Sequence, residues 1–377
     1  MKITASDNRF VDAATLLIAF TLLQPALSAG GDVVTVAGNG QSRGAIVDTD
    51  SAKDTAIGGP FGITIGPDGA LYVCETTTHV VRRIDLRTKR TSVVAGNGNR
   101  GYTGDGGVAT SASLNEPYEV RFDGAGNMFF VEMKNHIVRK VDAKTRVIST
   151  IAGTGKQGFS GDGGLATNAQ LSRPHSIALD NRGNLFICDI GNHRIRRVIL
   201  RSKNLDHGRI YTFGGNGKRQ SPPDNARLSG TPLNGPRALD FDGQSNLFLA
   251  LREGNAVYRI DLKLQTIHHI AGTGKKGYTG NGGPAKVATL SGPKGIAIAR
   301  NGDVYLADTE SHTIRVVRKA TGIIETVVGT GTKGDGPDGT PSNCKMDRPH
   351  GVFVDKDGNV YIGDSNNHRV RRLDAAR

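Results

Sequence analysis

PHSIALDNRGNLFICDIGNHRIRRV, residues 174–198, and PHGVFVDKDGNVYIGDSNNHRVRRL, residues 349–373, agree at most apolar, glycine and histidine positions. The proline that opens each recurs, almost evenly spaced, as Pro60, Pro117, Pro174, Pro236, Pro293 and Pro349. A fixed period of this size means stacked supersecondary units, a solenoid or a propeller. Inside the unit that starts at Pro174, residues 176–180 alternate, 181–183 form a turn, and 184–188 are a second apolar run. Residues 189–192 make the next turn, 193–199 a third strand, and 209–213 a fourth. Four antiparallel strands per unit are the blade of a propeller. Runs such as NLFICD and DVYLAD are apolar at consecutive positions, as expected for blades packed on both faces.

The expected fold is therefore all-β, a six-bladed propeller of four-stranded antiparallel blades. The last unit stops after its third strand, RVRRL, and the missing fourth strand lies at the other end of the chain. GDVVTVAGNG at residues 31–40 matches the fourth-strand segments TSVVAGNG at Thr91, STIAGTG at Ser149 and HHIAGTG at His268. Pairing residues 33–36 with 369–373 closes the ring and removes the open end of a stack.

The 377 residues then form one large domain, with 52 Gly and 14 Pro gathered mostly at unit junctions. Before it, Lys2 and Arg9 precede an apolar run at residues 13–23, followed by Pro25 and small residues to Ala29. That order reads as a signal peptide over residues 1–29, with cleavage after Ser28 or Ala29, and as a secreted or periplasmic mature chain over 31–377. The apolar run is too short to span a bilayer, so no transmembrane segment is expected in the mature chain. The net charge of +13 points to anionic partners. Cys74 and Cys188 occupy equivalent positions two units apart, out of disulfide range, and read as buried thiols; Cys344 falls in a loop.

An acidic residue followed by NHRIRRV (Asp189, Asn192 and His193; Asp364, Asn367 and His368) resembles the NHL repeat over roughly residues 31–377. The inserts GYTGDGG at Gly101, GFSGDGG at Gly158 and GYTGNGG at Gly277 resemble those of the bacterial exported branch. Unit four departs: Arg252 is read at the acidic position, Asn255 and Ala256 replace Asn and His, and residues 217–231 replace the insert.

The recurring His79, His136, His193, His312 and His368 lie at one turn of different units, so a ring keeps them apart. Each has an acid one turn earlier (Glu75, Glu132, Asp189, Asp308, Asp364) to orient it, and a structural role is expected. The glycine inserts lack the spacing of a calcium loop and the GK[ST] of a phosphate loop, and read as turns. No HExxH or paired CxxC occurs. Lactonase-type propellers, which this fold resembles, need a Glu, two Asn and an Asp on a divalent ion, and the four cannot all be placed on inner strands. The basic stretches RIRR, RVVRK and RVRR, on third strands, read as solvent-facing; NHL relatives bind RNA, but export makes nucleic acid unlikely as a partner. Trp is absent and aromatics are few, against a stacking lectin.

The residue after each anchor proline varies most: Phe61, Tyr118, His175, Arg237, Lys294 and His350, with Glu119 the one nearby acid. These positions should rim the axial opening, where all six units converge. Two cations, two histidines and a tyrosine there suit an anion. The expected function is a rigid, monomeric platform for a protein or an anionic ligand or polymer, without catalysis or cofactor. The alternative is a metal-dependent lyase or hydrolase at the channel mouth, similar to the peptide-amidating lyase, with zinc or calcium and His175 and His350 as weak metal ligands. That resemblance implies three histidines from alternate blades, and each alternate set here holds one.

Overall fold

The structure, a computed structural model, describes residues 31–201 and 207–376. The expected leader at residues 1–29 lies outside them. Six antiparallel sheets surround one axis, and each begins with its anchor proline on the innermost strand. Blade one comprises Pro60–Ile65, Leu71–Glu75, Val80–Ile84 and Thr91–Ala95; the same order repeats in every blade. Blade six consists of Pro349–Val354, Val360–Asp364 and Arg369–Leu373, and Val33–Ala37 from the start of the described chain supplies its outer strand. The closing register is Val33 to Leu373, Val34 to Arg372 and Thr35 to Arg371. Asp338 bolts this seam, accepting the Thr35 N–H and hydroxyl at 2.8 Å each and Arg371 Nη1 at 3.0 Å.

Each junction between blades is filled by its own apolar cluster. Between blades one and two, for example, Val81, Leu114, Val120, Phe130 and Ile148 are sealed from water. The ring thus has no single core, and each sheet is hydrophobic on both faces because each has two neighbours. Cys74, Cys188 and Cys344 are free and buried within these layers, and burial pushes their thiols up.

The inserts do more than turn. Each segment that leaves one blade's outer strand lays a short antiparallel bridge on the outer edge of the next, as at Thr49 to Thr91, Val108 to Val147 and Leu165 to Arg209. In blades four and five the bridge grows to two residues, Ala226–Arg227 and Gly283–Pro284. Covering the edge satisfies its backbone groups and blocks pairing with another chain.

The third strands are not simply solvent-facing. Arg82, Arg139, Arg196, Arg315 and Arg371 are fully buried, each paired with the blade's acid: Arg139 with Glu132 at 2.9 Å, Arg196 with Asp189 at 3.5 Å, Arg371 with Asp364 at 2.8 Å. The far side of the guanidinium meets the insert. Arg139 Nη2 reaches Asp105 at 2.8 Å and its guanidinium lies 5.4 Å from the Tyr102 ring centroid; Arg196 Nη2 reaches Asp162 at 2.8 Å under Phe159. So the acidic residue of GDGG neutralises a buried arginine and is not free for calcium.

Candidate functional site: the axial mouth

The proline anchors place the mouth. The residue before each is left-handed, with φ of 53° at Glu116, 51° at Arg173 and 52° at Arg348, a conformation that only glycine adopts without cost. What holds it is the repeated histidine of the preceding blade. His79 Nδ1 accepts the Glu116 N–H at 3.2 Å, His136 that of Arg173 at 3.0 Å, His193 that of Gly235 at 3.3 Å and His312 that of Arg348 at 3.1 Å. His368 accepts from Gly59 at 3.2 Å and closes the circle across the seam. The histidines are therefore structural, but the partner differs from the expected local acid. Those acids instead face the buried arginines and the backbone, Asp189 accepting the Ser172 N–H at 2.7 Å.

Blade four corrects the sequence reading by one residue. Pro236 pairs with Leu251 as Pro174 pairs with Asp189, so Leu251, not Arg252, stands at the acidic position. Asn255, with φ of 41°, takes the histidine's place, and its Oδ1 accepts the Gly292 N–H at 2.9 Å.

The six residues after the anchors do meet at the axis. Phe61 stacks on His350 with centroids 3.9 Å apart and meets Tyr118 edge-on at 4.6 Å; Tyr118 meets His175 at 4.7 Å. The Arg237 guanidinium lies 5.2 Å from the Tyr118 centroid. Inner strands approach so closely here that a Cβ on Gly351 would fall 1.9 Å from the Phe61 carbonyl oxygen, and one on Gly295 2.2 Å from that of His350. The opening is a neck, not a wide water channel.

Around this neck the electrostatics are lopsided. Lys294 Nζ donates to Glu310 at 2.8 Å, and Arg348 Nη2 reaches the same carboxylate oxygen at 2.8 Å. Burial pushes the Lys294 ammonium down to about 7 despite that partner. Arg237, only 5% exposed, has no hydrogen bond or ion pair among the described residues, and burial lowers it to about 10. Its nitrogens are not wholly sealed from water, unlike Arg82 Nη2 or Arg197 Nε. Burial, followed by the charge of Arg237, holds His175 well below the usual imidazole range; burial, Lys294 and then Arg237 do the same to His350.

Glu119 is placed one step further along the strand and pairs with Arg121. Its hydrogen bond is thereby given to Arg121, while its charge still acts on Arg237. Among the described residues no three His, Cys, Asp or Glu side chains gather as a metal ion needs, and His175 and His350 come from different blades. No helix among them is long and apolar enough to cross a membrane.

Against known proteins, the NHL repeat family matches residues 171–198 and 346–373, and the teneurin NHL domain matches 267–347. The chain thus carries NHL repeats in a six-bladed ring. The bovine (Bos taurus) NHL repeat-containing protein 2 is 27% identical over 334 residues, covering 79% of this chain and 46% of the relative. Human (Homo sapiens) teneurin-1 is 28% identical over 287 residues, 66% of this chain and 10% of that protein. The chain therefore spans less than half the length of these curated relatives. Among solved structures, an auxiliary nutrient binding protein of Bacteroides thetaiotaomicron superposes with a TM-score of 0.66 at 17% identity, over 92% of this chain and 76% of the other. That likeness speaks for the fold alone.

Proposed function

We propose that the chain is an exported NHL propeller of the bacterial type, with residues 1–29 as its leader, that acts as a rigid binding platform in the periplasm or outside the cell. Its axial mouth takes an anion, either a small ligand or an acidic group of a protein or polymer. Phe61, Tyr118, His175, Arg237, Lys294 and His350 form the contact set, with Glu119 behind them. The observation that carries this reading is Arg237: a buried cation with no carboxylate in direct contact is costly, and a bound anion supplies that contact. A fold neighbour described as a nutrient binding protein fits a binding role.

Titration calorimetry with acetate and sulfate tests it. Binding should weaken at least about tenfold in the Arg237→Ala, Lys294→Ala double variant, and should weaken with added salt. It should also fall as pH rises through about 7, because Lys294 loses its proton there and stops attracting the anion. Anion binding unchanged in the double variant sinks the proposal.

A further inference from the structure

The polar half of the mouth specifies more than charge, provided that the mouth takes an anion as proposed. Around the axis the order is Phe61, Tyr118, His175, Arg237, Lys294, His350, so two adjacent cations have a histidine at either end. His175 Nδ1 lies 2.6 Å from the Arg173 carbonyl oxygen and His350 Nδ1 2.8 Å from that of Arg348. A carbonyl only accepts, so Nδ1 carries the proton in both rings and Nε2 is a bare acceptor. Burial and the flanking cations keep both imidazoles neutral. Neither Nε2 has a partner among the described residues, and neither is sealed from water. Both histidines are more than nine-tenths buried, at 7% and 8% exposure.

We infer that the mouth selects a hydroxylated carboxylic acid of the sugar-acid class, its carboxylate between Arg237 and Lys294 and its neighbouring hydroxyls donating to Nε2 of His175 and His350. The carbon skeleton then lies against Phe61 and Tyr118. A simple carboxylate leaves both imidazole nitrogens without a donor. A neutral sugar leaves Arg237 bare. Each unmet group in a desolvated neck weakens binding, which is how such a site rejects the wrong ligand.

Calorimetry at about pH 6, where Lys294 keeps its proton, with gluconate, acetate and glucose decides the matter. Gluconate should bind at least about tenfold more tightly than acetate, and glucose not measurably. His175→Phe and His350→Phe keep a ring in the aromatic arc but lack the acceptor. Each should cost gluconate about tenfold and change acetate less than about twofold. His175→Asn and His350→Asn, which retain an acceptor, should recover part of the loss and serve if the Phe forms do not fold. Gluconate binding no tighter than acetate, or equal losses for both acids in the histidine variants, overturns the inference while leaving the anion reading standing. Failure of both acids to bind overturns the two together.

Discussion

In blade three the fully buried Asp189 and Arg196 face each other under the insert aromatic Phe159, whereas in blade four the same two positions hold Leu251 and Tyr258, both buried among Leu233, Leu249 and Ile267. The acid and arginine recur in blades one, two, five and six. The backbone pairing of blade four is nonetheless that of its neighbours. The difference teaches that the buried ion pair is one way of filling this layer and not a condition of the fold. Burial pushes Glu132 up to about 7 and Asp189 and Asp308 to about 6 even with arginines beside them, so desolvation outweighs the attraction. An apolar pair avoids that cost, and in blade four residues 217–231 stand where blades two and three carry GDGG.

Half-removal of a pair should give the largest effect. Glu132→Ala leaves the buried Arg139 with the half-exposed Asp105 and the Thr103 carbonyl as acceptors and strips acceptors from the Asn115 N–H and Asn135 Nδ2, so urea denaturation should show a loss of about 3–5 kcal/mol. Converting blade two to the pattern of blade four, Glu132→Leu with Arg139→Tyr, should recover at least half of that loss. A double variant as unstable as the single one would show that blade four depends on its own insert and not on the apolar pair. The smallest effect concerns the turn. His193→Ala should cost about 1–2 kcal/mol by orphaning the Gly235 N–H, and His193→Asn should restore most of it, as Asn255 does natively. If asparagine rescues nothing, the ring and not its acceptor atom matters at that turn.

The architecture was legible because its period is long, regular and punctuated by proline, and the closing register because residues 31–40 repeat the outer-strand sequence. The convergence of Phe61 through His350 followed from the same anchors. Three features were hidden for physical reasons. The histidine acceptors act on a backbone group in the next blade, as His79 does on Glu116, and no local pattern displays so distant a partner. The arginine facing each acid follows it at one fixed spacing, from Glu75 and Arg82 to Asp364 and Arg371, which charge alone disguised as a solvent face. Blade four lacks the acid as a landmark, and its nearest charged residue, Arg252, stands one place too far along; the step from Pro174 to Asp189, repeated from Pro236, gives Leu251. Ligand chemistry stayed out of reach in sequence because it depends on which ring nitrogen carries a proton, and that is set by the carbonyls of Arg173 and Arg348.

The shared final sheet has a consequence in time. Val33–Ala37 emerges among the first described residues, yet its partner Arg369–Leu373 is made among the last of them. At roughly 5–20 residues per second of synthesis, that strand waits on the order of tens of seconds with its hydrogen-bonding groups unmatched. The ring is thus a latch that cannot shut until the third strand of blade six has been made.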